Sequence, residues 1–400
     1  MKEKLEQKLG IYVHIPFCRS KCAYCDFYSL AGQEHRMDDY QKALVAHIRE
    51  VAPLAKSYQV DTIYFGGGTP SYYGAKRIKY LLKLIKQQFS VDKNAEITME
   101  ANPDSLTLGA IRSLRREGVN RISMGMQTAC PEELSSIGRP HSVQQTQDGV
   151  QAVHKGKIKN VSLDLMYGLP NQTEDSWKTT LEEAISLNPQ HLSCYGLKVE
   201  DGTPLAVRVE SGELLPDDDI QAEQYLYMVE RLQQAGYLQY EISNFAKEGY
   251  LSRHNMRYWM MESYVGFGPG AHSDFGGCRY SVISDLDGYI DAINSGGQII
   301  DSNDIIPAKE RGSEYIMLRL RTLIGIEEME YRRGYLMDFA PLEKRLFELE
   351  GMGLSEKTED GHWRFTPRGM LLSNVLIGDL LERQTTENLE TRLSWIKENG

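Results

Sequence analysis

The sequence has no hydrophobic run long enough to cross a membrane or to form the core of a secretory signal peptide. Its first residues, MKEKLEQKLG, are charged, and no apolar stretch of sufficient length follows them. No low-complexity tract interrupts the 400 residues, so extended disorder is not expected. These absences predict a compact cytoplasmic protein whose contact with membranes is at most peripheral.

An excess of positive charge is also missing. The chain has 45 Lys and Arg residues against 56 Asp and Glu residues, which gives a formal net charge of -11. A surface of this sign repels a phosphate backbone unless a local basic patch overrides it, and the sequence shows no such cluster. Nucleic acid is therefore not an expected partner.

Cysteine is scarce, with six residues in the whole chain, and a protein of this size does not need disulfides to stabilise its core. Three of the six lie close together in the segment HIPFCRSKCAYCDFYS, at Cys18, Cys22 and Cys25. A Cys-x3-Cys-x2-Cys loop can direct three thiolates at one point. This clustering favours a metal site over disulfide bonds.

The identity of that metal site depends on a fourth ligand. A tetrahedral zinc site or a cluster held by four thiolates needs one more protein ligand, but no cysteine follows Cys25 closely and the other three are scattered. Three thiolates on a four-iron four-sulfur cubane leave one iron open for the amino and carboxylate groups of a small molecule. Structural zinc and three unligated cysteines are the alternatives.

Six apolar runs rich in β-branched residues alternate with helical patterns. The runs IYVHI, VDTIYF, EITME, RISMGM, VSLDLMYG and HLSCYGL predict six strands. Successive βα units indicate a parallel sheet with helical crossovers, either an open doubly wound sheet or a partial barrel. In both architectures the functional residues gather where the strands end.

Chemically distinctive residues are predicted at that edge. A glycine-rich loop at 66–70 lets the backbone approach a ligand, although it is also simply a turn, and Glu100 offers a carboxylate that is otherwise a solvated surface side chain. Gln127, Arg139 and Asp164 add an amide, a cation and an acid. Together these groups suit a zwitterionic ligand that carries a ribose.

The regular alternation ends after the sixth strand. Residues 201–219 read as a loop, and a helix is predicted over about 221–235. We expect a first domain at 1–300, with an accessory segment at about 201–300, and a second domain at 301–400.

The second domain has a pattern similar to a winged helix. Its last part reads as a helix, two short strands joined by an Asp360-Gly361 turn, and a final helix. Residues 301–400 carry 19 acidic and 14 basic side chains, which favours a packing or lid domain over a DNA-binding one.

Taken together, the motifs YVHIPFC, GGGTP, EANP, GRPH and DLMYGLP resemble those of the oxygen-independent coproporphyrinogen III oxidase family of radical S-adenosylmethionine (SAM) proteins. The resemblance covers nearly the whole chain. It implies a partial (β/α)6 barrel of the TIM type with a smaller helical, winged-helix-like C-terminal domain, and a [4Fe-4S] cluster on Cys18, Cys22 and Cys25. Radical SAM proteins use one electron from the reduced cluster to split SAM into methionine and a 5'-deoxyadenosyl radical.

The same resemblance implies two groups of SAM contacts. The contacts to a first SAM fall on Tyr12, Gly67, Gly68, Thr69 and Glu100. The contacts to a second SAM fall on Tyr24, Gln127, Arg139 and Asp164.

Two features are similar to the HemW-type haem chaperone branch of that family. Oxidases of the family have a further cysteine two residues after the third cluster cysteine, where this chain has Phe27. The segment HNMRYW at 254–259 resembles the His-Asn-x-x-Tyr-Trp motif associated with haem binding in the branch. The resemblance implies that His254 ligates haem iron and that Tyr258 and Trp259 contact the macrocycle. A histidine that only packs is the alternative, and His272 is a second candidate.

The expected function is that of a haem chaperone, which binds haem and a SAM-chelated [4Fe-4S] cluster and transfers haem to an acceptor protein. Its expected cofactors are the cluster, SAM and haem, and an electron donor is a further expected partner. The alternative is a radical SAM enzyme that acts on a tetrapyrrole, by coproporphyrinogen III oxidation or related chemistry. A structural or nucleic-acid-binding protein is a third possibility, supported only by the winged-helix-like tail.

Overall fold

The computed structural model of the chain describes residues 7–385. They pack as two compact units, of which the first contains residues 7–224, 246–257 and 262–305 and the second contains residues 225–245, 258–261 and 306–385. The predicted division after residue 300 lies close to the end of the first unit. Residues 225–245 and 258–261, which we expected in the first domain, pack in the second unit.

The strands are numbered here in chain order, within residues 7–385. They are β1 (Gln7–Ile15), β2 (Phe17–Cys18), β3 (Leu30–Ala31), β4 (Tyr58–Gly67), β5 (Val91–Ala101), β6 (Arg121–Gln127), β7 (Asn160–Tyr167), β8 (His191–Gly196), β9 (Leu238–Gln239), β10 (Asn244–Ala246), β11 (Tyr264–Phe267), β12 (His272–Phe275), β13 (Cys278–Val282), β14 (Ile300–Asp304), β15 (Ser355–Lys357) and β16 (Trp363–Phe365).

The helices of the same residues are numbered likewise, and residues 373–385 are helical as well. They are α1 (Met37–Val51), α2 (Pro70–Tyr73), α3 (Ala75–Gln88), α4 (Leu108–Glu117), α5 (Pro131–Ser136), α6 (Val143–Lys155), α7 (Glu174–Ser186), α8 (Pro204–Glu210), α9 (Asp218–Gln234), α10 (Arg253–Trp259), α11 (Leu286–Ser295), α12 (Ala308–Arg319), α13 (Glu328–Tyr335), α14 (Ala340–Gly351) and α15 (Pro367–Leu371).

Six parallel strands form the centre of the first unit. Strands β1, β4, β5, β6, β7 and β8 lie side by side in that order, and each pair is parallel. Strand β11 pairs in parallel with the other edge of β1, and β12, β13 and β14 continue from it in antiparallel order. The predicted partial (β/α)6 barrel is confirmed.

The two faces of the barrel strands differ in chemistry. Ile11, Val13 and Ile15 on β1 are fully buried, as expected of the face that helices cover. On β6, alternate residues from Arg121 to Gln127 line an internal cavity instead. Because side chains alternate along a strand, the polar positions of the sequence fall on the inner face.

Helix α8 corrects the prediction of a loop across residues 201–219. Thr203 caps this helix by accepting a hydrogen bond from the Ala206 N–H at 3.2 Å, and Pro204 occupies the first turn, where its missing N–H is not needed. The β-branched Val207 and Val209 obscured this signal in the sequence. The helix matters to the site because Leu205 N–H donates to the Ala23 carbonyl at 2.8 Å, within the cysteine loop.

The second unit contains the predicted winged-helix pattern. Strands β15 and β16 pair antiparallel, and Gly361 takes the left-handed conformation (φ 89°) in the turn between them. An isolated bridge joins Ile326 to Trp363, so a third extended segment flanks the hairpin. Trp363 is buried in the core of the unit. Within the described part of the chain, no helix combines the length and the apolar character that a membrane span requires.

Candidate functional site

A cavity of about 370 Å³ opens at the carboxyl ends of the barrel strands of the first unit. It brings together most of the residues that the sequence predicted, whereas Tyr12, His254, Tyr258 and Trp259 do not line it. The predicted residues on its wall are Cys18, Cys22, Tyr24, Cys25, Gly67, Gly68, Thr69, Glu100, Gln127, Arg139 and Asp164.

The loop that carries the three cysteines is fixed by backbone hydrogen bonds at its ends and its middle. Leu30 N–H donates to the Pro16 carbonyl at 2.7 Å, where β2 and β3 pair in parallel. Ala23 N–H donates to the Ile137 carbonyl at 3.0 Å. These bonds fix the backbone of the loop, and all three cysteines line the cavity.

The glycine-rich loop packs directly against the cysteine loop. Gly68 N–H donates to the Ile15 carbonyl and Thr69 N–H to the Phe17 carbonyl, both at 2.8 Å. A Cβ atom at Gly68 would lie 2.9 Å from the Ile15 carbonyl oxygen and 3.0 Å from the Cys18 sulfur. Only glycine allows this close approach, so the packing of the two loops requires the third glycine of GGGTP.

The chemistry of the thiols suits an iron-sulfur cluster. Within residues 7–385, no three His, Cys, Asp or Glu side chains lie close enough together to bind a single metal ion. A four-iron cubane bonds its three thiolates through three different irons and therefore needs them farther apart than one zinc ion does. Burial raises the pKa of Cys18 and of Cys25, so the thiols depend on coordination to deprotonate.

Glu100 ends β5 beside the glycine-rich loop. Its Oε2 accepts from the Gly67 N–H at 3.1 Å, and its Oε1 accepts from the Tyr64 hydroxyl at 2.7 Å. Desolvation inside the barrel raises the pKa of Glu100 to about 7, against the lowering effect of the Tyr64 hydrogen bond. The carboxylate is placed to accept a hydrogen bond from an ammonium or ribose hydroxyl group.

Arg139 bridges the cysteine loop and the strand ends. Its Nη1 donates to the Cys22 sulfur at 3.4 Å, and its Nη2 donates to Asn102 Oδ1 and the Gly125 carbonyl at 3.0 Å each. A Cβ atom at Gly125 would lie 2.5 Å from Arg139 Nη2 and 2.6 Å from Gln127 Nε2, so a side chain there would displace both groups. Gln127 itself has φ 66°, a conformation that non-glycine residues adopt mainly where surrounding contacts impose it.

Asp164 and Tyr24 complete the predicted set. The Ser123 hydroxyl donates to Asp164 Oδ1 at 3.1 Å, and burial raises the pKa of this aspartate. Tyr24 packs against a small apolar cluster that includes Ile137 and Met166. The cavity therefore combines an apolar wall with an acid, an amide and a guanidinium, which is the composition expected for a nucleoside-bearing zwitterion.

Several residues of the cavity were not predicted from the sequence. Tyr64 on β4 and Arg121 on β6 line its floor, and Asn255 on α10 reaches it too. The first two occupy inward positions of their strands, a property that alternation along each strand could have indicated once the barrel was assumed.

His254, on the HNMRYW helix, does not line the cavity that contains the thiols. His254 Nδ1 is 2.8 Å from the Thr62 hydroxyl, and its backbone N–H donates to Glu96 Oε1 at 3.1 Å. Thr62 and Glu96 each precede the end of their strand by five residues, so the imidazole lies deeper in the barrel than the cysteine loop. His254 is 1% exposed, and burial lowers its pKa to about 3, which keeps the ring neutral.

Three other predicted aromatic residues lie outside the cavity wall. The Tyr12 hydroxyl is 2.9 Å from His14 Nδ1, and its ring stacks near that of His254 with centroids 6.5 Å apart. Tyr258 and Trp259 are half-buried and belong to the short segment 258–261 of the second unit. His272, the second haem-ligand candidate, is exposed at the start of β12.

Comparisons with known proteins agree with this geometry. Residues 12–184 match the model of the radical SAM superfamily. The chain is 35% identical to heme chaperone HemW of Bacillus subtilis, over 92% of this chain and 98% of that protein. The chain belongs to the HemW family of radical SAM proteins. It is also 34% identical to heme chaperone HemW of Escherichia coli, over 92% of this chain and 97% of that protein.

A solved structure supports the fold of this HemW family member. The coproporphyrinogen III oxidase HemN from Escherichia coli, a radical SAM enzyme, matches with a TM-score of 0.81 at 24% identity, over 95% of this chain and 91% of the other. Membership of the radical SAM superfamily implies a [4Fe-4S] cluster and SAM. The residues present fit both, because the three thiols and the polar groups share one cavity.

Phe27 marks the position where this HemW family member departs from the oxidase pattern. It lies two residues beyond Cys25 on the rim of the cavity and is 66% exposed. An apolar side chain at that rim offers no thiol to a cofactor or substrate, in contrast to the cysteine that the oxidase pattern places there.

Proposed function

We propose that this HemW family member is a haem chaperone, which binds haem and a SAM-chelated [4Fe-4S] cluster and passes haem to an acceptor protein. The observation that carries the proposal is the match to heme chaperone HemW of Bacillus subtilis over 92% of this chain. The position of Phe27, where the oxidase pattern has cysteine, supports the chaperone over the oxidase.

The cluster and SAM would be held by residues of the cavity. Cys18, Cys22 and Cys25 would bind three irons, and the bound cluster would supply one electron to SAM. The glycine-rich loop leaves room beside the thiols, and Glu100 would accept hydrogen bonds from SAM. Arg139 would hold the cysteine loop against the strand ends through Cys22 and the Gly125 carbonyl.

The proposed contacts for a second SAM are Tyr24, Gln127, Arg139 and Asp164. All four line the same cavity as Glu100. Tyr12 stands as a proposed SAM contact on the family resemblance alone, because its hydroxyl lies against His14 and its side chain is not on the cavity wall.

His254 is the proposed axial ligand of haem iron. Its ring is neutral at physiological pH, as iron coordination requires, since burial lowers the pKa to about 3. It is also enclosed against Thr62, so we propose that coordination requires α10 to move away from β4. Tyr258 and Trp259 remain proposed contacts of the macrocycle.

We also propose an electron donor and a haem acceptor as partners, both in the cytoplasm. Within residues 7–385, none of the six cysteines forms a disulfide bond, which suits a reducing compartment. The alternative function, a radical SAM enzyme acting on a tetrapyrrole, is favoured only by the SAM-directed residues that share one cavity, which are all of the predicted ones except Tyr12.

Haem titration of the anaerobically reconstituted protein tests the proposal. We expect saturable binding of one haem per chain while the cluster absorption is retained. A matched sample of the Cys22→Ala variant should bind haem without a cluster, since the proposed haem ligand is a different residue. Absence of saturable haem binding to the wild-type protein would refute the chaperone function.

A further inference from the structure

Tyr64 connects the SAM-directed end of the cavity to the HNMRYW helix. Its hydroxyl donates to Glu100 Oε1 at 2.7 Å. Its ring stacks on the His254 imidazole, with centroids 5.1 Å apart and planes inclined by 23°. One side chain therefore touches both the carboxylate that faces the glycine-rich loop and the histidine proposed to bind haem.

The Glu100 carboxylate has two donors, and they hold different oxygens. Gly67 N–H binds Oε2 at 3.1 Å and the Tyr64 hydroxyl binds Oε1. Donors on both oxygens restrain the rotation of the carboxylate, and without the Tyr64 hydroxyl only the Gly67 N–H of these two donors would remain. Tyr64 is thus the side chain that fixes its orientation.

The packing around this pair leaves little freedom. A Cβ atom at Gly66 would lie 2.8 Å from Tyr64 Cε1 and 3.0 Å from Glu100 Oε1. The first glycine of GGGTP therefore leaves the space in which the phenol and the carboxylate meet. The His254 imidazole that stacks on Tyr64 is itself restrained, because its Nδ1 lies 2.8 Å from the Thr62 hydroxyl.

We infer that Tyr64 is a positioning residue, which orients the Glu100 carboxylate for SAM and couples it to the His254 helix. This inference rests on the proposed binding of SAM at Glu100. Neither the motifs nor the family resemblance assign a role to Tyr64.

The groups around Glu100 determine how loss of the Tyr64 hydroxyl changes the pKa of the Glu100 carboxyl group. Desolvation and the Asp164 carboxylate on β7 raise the pKa of Glu100, the Tyr64 hydroxyl, the Gly67 N–H and Arg121 on β6 lower it, and the net pKa is about 7. Removing the hydroxyl therefore raises the pKa, and the carboxylate is protonated over a wider range near neutral pH. A SAM contact that needs ionised Glu100 is lost as the pH falls through that pKa.

The test is the dissociation constant of SAM, measured from pH 6 to pH 9 on the full reconstituted chain, for the wild type and for Tyr64→Phe. We expect the midpoint of the pH dependence to move upward by about one unit, with affinity about fivefold weaker at pH 7. The dissociation constant of Tyr64→Phe divided by that of the wild type should fall at high pH. Ionisation of SAM itself affects both constants equally and cancels in this ratio.

Tyr73→Phe is the matched control, because the Tyr73 hydroxyl is also buried in the first unit and donates to the Met37 carbonyl at 3.4 Å, away from the cavity. It should leave the pH profile unchanged. A Glu100→Gln background gives a second readout, in which Tyr64→Phe should have no further effect on SAM binding at any pH.

Two outcomes separate the failure of this inference from that of the proposed SAM site. Wild-type protein that binds no SAM would overturn both. If the wild type binds SAM normally, two results would overturn the role of Tyr64 alone. One is a ratio of the Tyr64→Phe and wild-type dissociation constants that does not change with pH. The other is a full effect of Tyr64→Phe in the Glu100→Gln background.

Discussion

The three cluster cysteines illustrate what a single residue contributes to this site. Each thiol sits on a loop whose backbone is hydrogen-bonded independently of the sulfur atoms, as the Ala23 to Ile137 bond shows. The loop geometry therefore does not depend on any one thiol. Loss of a thiol should remove the cofactor and leave the fold.

Cys22→Ala is accordingly expected to abolish the visible absorption of the cluster while the far-UV circular dichroism stays that of the wild type. Cys130→Ala is the control, because Cys130 lies outside the cavity and its thiol donates to the Glu132 carboxylate at 3.1 Å. Iron content and absorption after anaerobic reconstitution provide the measurement. Unchanged iron in Cys22→Ala would contradict the cluster assignment.

Residues of the site differ in how far the sequence predicts them. The cysteines and the glycine-rich loop are local motifs, so spacing alone identifies them. The position of His254 depends on Thr62 and Glu96, which are 192 and 158 residues away in the chain. Its motif could be recognised in the sequence, but its burial could not, because only the closed barrel brings those partners together.

At the scale of elements, α10 shows how a short helix is fixed by distant strands. The carboxylate of Glu96 accepts from the backbone N–H groups of Arg253 and His254, at 3.0 and 3.1 Å, and so satisfies free donors at the helix N-terminus. Arg257 pairs with Asp61 at the other end of the helix. Movement of α10 therefore has to break polar contacts with β4 and β5.

Haem binding should report that movement. His254→Ala is expected to weaken haem binding by at least about tenfold without loss of iron-sulfur, because the axial ligand is removed. Thr62→Val keeps the imidazole but removes its restraint, so haem affinity should be retained or increased. Haem titration followed by absorption spectroscopy measures both.

The two variants distinguish ligation from packing. Equal weakening by His254→Ala and Thr62→Val would mean that His254 acts by holding α10 and not by binding iron. Unchanged affinity in His254→Ala would move the ligand elsewhere, and the exposed His272 would be the next residue to replace.

Most of the barrel elements follow from the sequence because each has a strong periodic pattern. Helix α4 is one example, since it begins at Leu108 directly after Thr107, whose side chain caps the first turn. Helix α8 was missed because it is only seven residues long and its capping signal, Thr203-Pro204, stands in a segment rich in turn-forming residues. Short capped helices of this kind are identified better by their caps than by periodicity.

At the scale of the whole molecule, a short series of contacts connects the proposed haem ligand to the proposed SAM site. His254 stacks on Tyr64, Tyr64 binds Glu100, and Glu100 binds the glycine-rich loop. If haem coordination withdraws the imidazole, Tyr64 loses the ring that supports it, and Glu100 becomes less well oriented for SAM. Binding of haem and of SAM should therefore oppose one another.

We expect saturating SAM to raise the dissociation constant of haem about fivefold or more, and haem to raise that of SAM by the same factor, since linkage is reciprocal. Calorimetric titration of each ligand in the presence and absence of the other measures the effect. In Tyr64→Phe the coupling between haem and SAM binding should shrink, because the phenylalanine ring has no hydroxyl group to hold the Glu100 carboxylate. Affinities for haem and for SAM that do not depend on the other ligand in the wild type would contradict the proposed path from His254 to Glu100.

The division into units was the least predictable property of the molecule. The family resemblance spans both units, and residues 225–245 carry no change of composition that separates them from their neighbours. They pack in the second unit through contacts such as the hydrogen bond from the Ile242 N–H to the Arg321 carbonyl at 2.9 Å. Such long-range pairing leaves no signal in a single sequence.

The most direct test of the haem chaperone function is product analysis of the reconstituted protein under anaerobic, reducing conditions. The haem-binding protein is incubated with SAM and coproporphyrinogen III, and the tetrapyrroles are identified by mass spectrometry. The chaperone predicts stoichiometric haem binding and no decarboxylated product. Formation of protoporphyrinogen would contradict it and would show that the chain is an oxidase despite Phe27.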